Sequence, residues 1–424
     1  MNSRRRIRRT ESSRTPCKGS APWNVWALMA LLCISVQVMA QEAPGYVSQG
    51  YTDQVINRIA RFFDLNPGSK NLAQEVAFFS DDIDVRHIAF SPDGKYLAVT
   101  SMDDLSTHGQ EVHIWDWRQE KLIRALYLPQ GSDGNPLAKE MLTWSQDGKF
   151  LATCMITPRN NEASIRVWNV SDWTVEKDIG IHGDGNCTSL AFSPDSQLLI
   201  RIADYQDKGE DGVLIYDAHT WQKVQGFKLV PYFSPSVMSL SSSGQLMAVA
   251  GTFAVPHSGT IQTQAFLNDA DNGGAVLVYD IKTDALLRNI RIKSETTNKI
   301  FSMLTPSSEA ISPDGQYVMV GGDVNTKPSP YNQFPALSIY SVKTGQKVDA
   351  IHEHDSADIV SIRFLHHGQY LVVSEVDGYI QFWKFPEMRL VQEVKGEASS
   401  LAVSPDGQYL AGGGYKKILV WKIN

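Results

Sequence analysis

One four-residue motif recurs seven times along the chain, and it constrains the fold more than any other feature. Five copies keep Ser first and Asp third: Ser91–Gly94, Ser145–Gly148, Ser193–Ser196, Ser312–Gly315 and Ser404–Gly407. Two divergent copies fill the gaps, at Ser241–Gly244 and Leu365–Gly368. Repeats at this spacing indicate one supersecondary unit that is copied around a ring or along a rod.

Each copy lies between two short apolar runs, such as Ile88–Phe90 and Tyr96–Val99 around the first copy. Alternation in the first run is typical of a half-buried strand. Within the motif, Pro sets φ, Asp bonds back to its own backbone, and Gly accepts a positive φ. Each unit is therefore predicted to be strand, tight turn, strand. The Asp residues predicted to be structural in these turns are Asp93, Asp147, Asp195, Asp314 and Asp406.

A third strand follows each pair and ends in an aromatic residue, as in Val112–Trp115 and Ile418–Trp421. A fourth strand comes a few residues later, for example Lys121–Leu126 or Ala285–Ile290. Four antiparallel strands per unit and seven units predict an all-β fold, a seven-bladed β-propeller.

The turn motif followed by a third strand ending in Trp115–Asp116 resembles the WD40 repeat, over roughly residues 70–424. The resemblance implies that the strand-ending tryptophans are structural repeat residues: Trp115, Trp168, Trp383 and Trp421. The Trp-Asp pair is intact only in the first repeat, and Glu309 stands where other first strands carry an apolar residue. Divergent repeats of this kind are common in bacterial members of the family.

The sixth repeat matches the family's hydrogen-bonding residues at His354, Asp377 and Trp383, but Val373 stands where a Ser is expected. The last repeat stops on its third strand, which would leave an open sheet edge. Leu72–Val76 matches the fourth strand of the sixth repeat, Leu390–Val394, at four of five positions. We therefore expect residues near 71–79 to complete the seventh blade, within one domain of residues 70–424.

Residues 1–40 are predicted to be a targeting segment. A basic head precedes the mostly apolar run Trp23–Ala40, and Val38–Ala40 has the small-residue spacing of a signal-peptidase site. A cleaved signal peptide predicts a periplasmic or secreted protein that begins at Gln41. An uncleaved signal anchor is the alternative, since 18 apolar residues can just span a bilayer, and only then would the protein be bound to the membrane.

The charge of the chain divides at this segment. The whole chain carries −7, and residues 1–40 hold seven basic side chains and one acidic one, which is +6, so the remainder carries −13. An acidic body of this kind argues against a nucleic-acid partner, because such binding depends on neutralising phosphates. Two cysteines remain, Cys154 and Cys187, in neighbouring repeats. A disulfide between them and two buried reduced thiols are both consistent with the sequence.

Residues 41–69 are predicted to be a linker with an amphipathic helix. Val55, Ile56, Ile59, Phe62 and Phe63 fall on one helical face, and Pro67–Gly68 ends the pattern. Such a helix either packs against the propeller or docks on a partner or membrane surface.

Length variation is concentrated in the connections from second to third strands and from one blade to the next, which the resemblance to WD40 repeats places on one face of the ring. The longest run from Gly251 to Gly274, Gly321 to Ala336, Pro129 to Lys139 and Lys293 to Ser307. Long connections on a rigid scaffold often carry function, and aromatic residues are favoured interface anchors. The candidate partner-binding residues are Tyr205, Phe253, Phe266, Tyr331 and Phe334. The alternative is that these side chains fold back and cap their own loops.

Metal, cofactor and catalytic signatures are weak. His352–Asp355 has the composition of a metal site, but it occupies the place of the family's structural Gly-His pair. Asn268–Gly273 resembles part of a calcium loop and lacks the downstream Glu that a complete loop needs. No nucleophile elbow, phosphate-binding glycine loop, CxxC pair or haem attachment motif occurs. The sequence therefore predicts no metal site, no cofactor and no catalytic residue.

Three functional hypotheses follow. The first is an exported, non-catalytic propeller scaffold that binds a protein partner through its loop-rich face. The second is a periplasmic propeller enzyme or cofactor-binding protein with a site at the central channel, where polar residues from several blades would converge. The third is an envelope sensor anchored by an uncleaved N-terminal helix. The first rests on fold resemblance and on the absence of a reactive cluster.

Overall fold

The structure is a computed structural model, and the part it describes lies between residues 72 and 424. The described ranges are 72–80, 84–101, 111–127, 142–157, 162–180, 186–204, 211–253, 274–292, 304–324, 337–351, 359–396 and 398–424. The predicted signal segment and the predicted linker helix, residues 1–69, lie outside these ranges.

The described residues form seven four-stranded sheets, the blades of a propeller. The chain begins with β1 (Ala73–Ser80), and blade 1 follows with β2 (Val85–Phe90), β3 (Tyr96–Ser101), β4 (Glu111–Asp116) and β5 (Lys121–Tyr127). Blade 2 contains β6 (Leu142–Trp144), β7 (Phe150–Thr157), β8 (Glu162–Asn169) and β9 (Thr174–Gly180). Blade 3 contains β10 (Asn186–Phe192), β11 (Leu198–Asp204), β12 (Val213–Asp217) and β13 (Lys223–Phe227). Blade 4 contains β14 (Phe233–Leu240), β15 (Leu246–Phe253), β16 (Gly274–Asp280) and β17 (Ala285–Arg291). Blade 5 contains β18 (Leu304–Ile311), β19 (Tyr317–Val324), β20 (Leu337–Ser341) and β21 (Lys347–Ile351). Blade 6 contains β22 (Ile359–Leu365), β23 (Tyr370–Glu375), β24 (Tyr379–Lys384) and β25 (Arg389–Lys395), and blade 7 contains β26 (Ser400–Val403), β27 (Tyr409–Gly414) and β28 (Lys417–Ile423).

Within each of blades 1 to 6, consecutive strands pair antiparallel in chain order. The first strands lie innermost, where each contacts the first strands of the neighbouring blades. Among the described residues the only helical element is the 3-10 turn His366–Gly368, which takes the place of the tight turn in blade 6. The predicted seven-bladed, all-β propeller is confirmed.

Ring closure uses the N-terminal strand, as the sequence predicts. β1 pairs antiparallel with β28, from Ala73 opposite Ile423 to Ser80 opposite Lys417. The two ends of the described chain therefore share one sheet, in the order β1-β28-β27-β26. The edge that β28 would otherwise expose is thereby covered.

A second contact joins the closing strand to the neighbouring blade. The side chain of Gln392 on β25 accepts a hydrogen bond from the Ala73 amide at 2.8 Å and donates one to the Ala73 carbonyl at 2.9 Å. Ala73 is 3% exposed, so these bonds satisfy backbone groups that water reaches poorly. Gln392 is the residue of β25 that corresponds to Gln74 in the matching sequence of β1.

The core lies between the blades rather than at one centre. Each apolar cluster contains side chains from adjacent blades; one joins blades 6 and 7 around Trp421, which is 2% exposed. Two glycines make room for this ring: a Cβ on Gly396 would lie 2.9 Å from the Trp421 ring, and one on Gly412 would lie 3.0 Å from it. The indole therefore fixes the spacing between these two blades, and a propeller is stabilised by a sum of such interfaces.

Candidate functional site

The repeated turn motif forms the same hydrogen-bond network in each intact copy. In blade 3 the Ser193 hydroxyl donates to Asp195 at 2.5 Å, and Asp195 also accepts the Gln197 amide at 3.1 Å. The Ser193 hydroxyl oxygen accepts the Leu198 amide at 2.9 Å. The Ser-Asp bond recurs at Asp93, Asp147, Asp314 and Asp406. In these five turns the Asp carboxylate is thus held by the Ser hydroxyl that begins the motif.

The same bonds change the acidity of the turn carboxylates. The Ser193 hydroxyl and the Gln197 amide both donate to Asp195, and they lower the pKa of that carboxyl. Hydrogen bonds to the charged form of an acid favour ionisation, and here they outweigh the opposing effect of partial burial. The cause is a local backbone turn, so the shift reflects stability rather than catalysis.

The strand-ending tryptophans Trp115, Trp168, Trp383 and Trp421 are all buried, in keeping with their predicted structural role. In blade 6 the Trp383 indole N–H donates to the Gln381 side chain at 3.0 Å. Gln381 lies opposite Val373, the residue that stands where the family has a Ser. Asp377 is exposed in the turn between β23 and β24, and His354 lies outside the described residues. Gln381 is thus a partner of this tryptophan that the resemblance does not indicate.

Cys154 on β7 and Cys187 on β10 are joined by a disulfide, with their Cα atoms 6.2 Å apart. Both residues are 4% exposed and belong to one apolar cluster between blades 2 and 3. This pairing corresponds to the disulfide alternative of the two that the sequence allows. This bond connects two blades that also meet through side-chain packing and through hydrogen bonds such as the one from the Phe192 amide to the Thr143 hydroxyl.

Of the five candidate partner-binding residues, the structure describes only Phe253. It is 9% exposed and lies at the end of β15, where its ring packs on Phe233 with centroids 5.2 Å apart. The Arg291 guanidinium lies 3.4 Å from the Phe253 ring centroid. Phe253 is thus a buried strand residue. The prediction that it lies in an exposed loop is wrong. Tyr205, Phe266, Tyr331 and Phe334 lie outside the described residues, and their role in binding stays a prediction.

The connections divide into two sets because the strands alternate in direction. Turns from first to second and from third to fourth strands emerge on one face, here called the turn face. Connections from second to third strands and from one blade to the next emerge on the opposite face, here called the loop face. The strands that flank residues 254–273, 292–303 and 325–336 end at the loop face. Two of these strands extend further than the sequence indicated, to Phe253 and Val324.

The candidate metal clusters His352–Asp355 and Asn268–Gly273 lie outside the described residues. Within the described ranges, no group of three or more His, Cys, Asp or Glu side chains is arranged to hold a metal ion. His366 and His367 lie in the 3-10 turn of blade 6, and the His366 ring meets Tyr370 edge-on with centroids 5.8 Å apart. None of the described residues forms a helix with the length and apolar character needed to cross a bilayer.

Glu309, which stands at an apolar position of its repeat, connects two blades. It is 1% exposed and accepts a hydrogen bond from the Ser239 hydroxyl of blade 4 at 2.8 Å. The same hydroxyl oxygen accepts the Ile311 amide of blade 5 at 2.8 Å. The carboxylate therefore belongs to a buried interblade network, which the sequence pattern could mark as unusual but could not explain.

One innermost strand carries a charge at a position where the others are small. Two residues before the turn motif, six first strands have Ala, Ser or Thr, as at Ala89, Thr143 and Ala402, and β22 has Arg363. Arg363 lines a cavity of about 350 Å³ in the central channel, together with Phe90 and Trp144. Its guanidinium donates to the carbonyl of Ile362 at 2.8 Å. Sequence reasoning missed Arg363, although alignment of the seven repeats contains the signal.

Three segments match the sequence profile of the family described as WD domain, G-beta repeat: residues 74–116, 345–384 and 388–422. Each match begins in the fourth strand of one blade and runs through the third strand of the next. The chain is 22% identical over 331 residues to Protein HIR1 of Eremothecium gossypii, covering 72% of this chain and 38% of that protein. It is 29% identical over 164 residues to SEC12-like protein 1 of Arabidopsis thaliana, covering 39% and 37% of the two chains.

A shorter similarity is to apoptotic protease-activating factor 1 of Rattus norvegicus, 28% identical over 114 residues and covering 26% of this chain and 7% of that protein. The chain thus spans well under half the length of each of these relatives. The three matched segments lie near the two ends of the described chain, and these ends meet in one sheet of a closed ring of seven four-stranded blades. The chain is thus a seven-bladed β-propeller that contains WD40 repeats.

Proposed function

We propose that this protein is an exported, non-catalytic scaffold that binds a protein partner through its loop face. The observation that carries the proposal is the distribution of connection lengths. Long connections such as 254–273 and 325–336 emerge on one face, while short turns held by Ser-Asp hydrogen bonds occupy the other. A rigid frame with variable loops on one side is a common arrangement for recognition.

The family supports the same function. WD40 propellers are typically non-catalytic interaction scaffolds, and this chain is similar to parts of the three longer proteins named above. The partner here is a protein rather than a nucleic acid, because the chain without residues 1–40 carries a charge of −13. Aromatic anchors at Tyr331 and Phe334 are the side chains we expect to contribute most of the binding free energy.

Site-specific photocrosslinking tests the binding face. A photoreactive amino acid is placed at Tyr331 or Phe334, on the loop face of blade 5, and at Lys343 as a matched control on the turn face of the same blade. Irradiation of intact cells should give a discrete crosslinked protein from the first two positions and none from Lys343. Crosslinks from Lys343 alone, or from no position on the loop face, would contradict the proposal.

Export rests on the basic head, the apolar run and the small residues that end at Ala40. The purified protein should begin at Gln41, and it should fractionate with the periplasm or the medium. N-terminal sequencing that finds residue 1 or 2 on soluble cytoplasmic protein would refute export. The same intact end on membrane-bound protein would favour the anchored form.

A further inference from the structure

The two shortest connections on the loop face belong to neighbouring blades. Residues 376–378, here called tip 6, join β23 to β24 in blade 6, and residues 415–416, here called tip 7, join β27 to β28 in blade 7. In blade 7 the strands stay paired up to Gly414 and Lys417. Tip 6 is closed by the Gly378 amide, which donates to the carbonyl at the end of β23 at 3.1 Å. Both tips are thus short turns on paired strands rather than long loops.

Each tip exposes a large apolar side chain. Tyr415 in tip 7 is 68% exposed and Val376 in tip 6 is 64% exposed, and they are the two most exposed large apolar side chains among the described residues. Turns of this length usually carry Asn, Asp or Gly, because those residues adopt turn conformations at little cost. The fold therefore does not require Val or Tyr at these tips. Exposed side chains of this kind, tyrosine above all, are typical anchors of protein interfaces.

A short segment of the chain connects the two tips. The Gly396 amide donates to the Gly378 carbonyl in tip 6 at 2.9 Å, and the Ser399 amide donates to the Gly413 carbonyl next to tip 7 at 2.7 Å. Because only three peptide steps separate Gly396 from Ser399, their Cα atoms are at most about 11 Å apart. The two tips therefore stand at a fixed separation on the order of 10 Å, similar to the spacing of stacked sheets.

The strand that leads into tip 7 is packed tightly on both sides. A Cβ on Gly412 would lie 2.9 Å from Ala398 in the connection from blade 6, and one on Gly413 would overlap Val85 of blade 1. Close packing at these two glycines fixes the position of the hairpin between its neighbours. An anchor that is held in place before binding loses little conformational entropy when a partner docks on it.

Each tip also carries one charged side chain, and the two charges are opposite. Lys416 lies beside Tyr415, with its ammonium 5.8 Å from the centroid of that ring, and Asp377 follows Val376. Both charged side chains are exposed, and neither forms an ion pair with another described residue. A partner can therefore pair with both charges without breaking an existing ion pair.

We propose that tips 6 and 7 bind an amphipathic segment of the protein partner. Its apolar side chains pack on Val376 and Tyr415, an acidic side chain pairs with Lys416, and a basic side chain pairs with Asp377. If the segment is a helix, the two charged residues lie about seven positions apart, because each residue advances the helix by about 1.5 Å. This inference rests on the proposed scaffold function and adds the chemistry of the segment that the loop face recognises.

Photocrosslinking in intact cells tests whether the tips are occupied. A photoreactive amino acid replaces Val376 or Tyr415, and Val348, an exposed residue of the outer strand β21, is the matched control position. Both tips should give a discrete crosslink to another protein, and Val348 should give none. Crosslinks from Tyr331 or Phe334 without any from the tips, or a second copy of this chain captured at the tips, would overturn this inference alone. The absence of crosslinks from every loop-face position would contradict the scaffold function as well.

The captured segment, located by mass spectrometry and synthesised as a peptide, is the probe of the chemistry. Tyr415→Ala should weaken binding of this peptide to the purified protein about thirtyfold, as at an interface hot spot. Lys416→Glu should weaken it about tenfold at low salt and less at about 1 M salt, where charges are screened. Lys228→Glu, which reverses an exposed lysine between blades 3 and 4 on the loop face, is the matched control and should leave binding unchanged. Equal affinity of the two lysine variants, or a captured segment without the paired acid and base, would overturn the assignment.

Discussion

Replacing Gln392 by Ala should weaken the closure of the ring by a predictable amount. The Gln392 side chain makes two hydrogen bonds to the backbone of Ala73, at 2.8 Å and 2.9 Å. Each is worth about 1 kcal/mol when both partners can return to water, and a buried group left without a partner costs about 1–3 kcal/mol. Ala73 is 3% exposed, so we expect the free energy of unfolding to fall by about 2–3 kcal/mol.

Gln74→Ala is the matched control, because Gln74 occupies the corresponding position in β1 and its side chain is exposed. Exposed substitutions of this kind usually change stability by less than about 0.5 kcal/mol. Urea unfolding of both variants, followed by tryptophan fluorescence and by circular dichroism, gives the two midpoints and slopes. A difference of less than about 0.5 kcal/mol between the two variants would show that the Gln392 side chain does not stabilise the closing strand.

Three further predictions concern stability. Replacing Cys154 and Cys187 together by Ser should lower the free energy of unfolding by about 3–4 kcal/mol, because the disulfide closes a loop with a sequence separation of 33 residues. Thermal unfolding with and without reductant measures this loss. An equal melting temperature of the variant and the unaltered protein would contradict the disulfide. The pKa of Asp195 is lowered in the folded protein, so ionised Asp195 stabilises the fold above the ordinary aspartate pKa, and this stabilisation is lost as pH falls below about 4. Asp195→Asn should therefore lose less stability than the unaltered protein between pH 5 and pH 3. An unchanged dependence of stability on pH in this range would contradict this. Phe253→Ala should lower the free energy of unfolding by about 3–5 kcal/mol, because its side chain is buried. Phe334→Ala should instead reduce partner binding and leave the unfolding midpoint nearly unchanged. The reverse pattern would contradict both assignments.

Features that repeat along the chain could be predicted from its sequence. The turn motif predicted the blades, and the match between Leu72–Val76 and Leu390–Val394 predicted the closing strand, which β1 confirms. Both arguments compare one segment of the chain with another segment of the same chain. Local periodicity and turn chemistry are enough for that purpose, because each blade is built from consecutive residues.

Features that depend on contacts between blades could not be predicted in this way. Phe253 follows a Gly and a Thr, so the sequence indicated that its strand ends before it. In the structure β15 continues to Phe253, whose ring packs on Phe233. Glu309 was recognisably unusual, but its partner Ser239 lies 70 residues away on another blade.

Binding of a protein partner at the loop face can be measured by hydrogen–deuterium exchange of the protein, alone and with the partner identified by crosslinking. We expect slower exchange on binding in peptides that cover 254–273 and 325–336, with no change in the turns at Ser193–Ser196 and Ser312–Gly315. Protection confined to those turns, with unchanged exchange in the long connections, would contradict it.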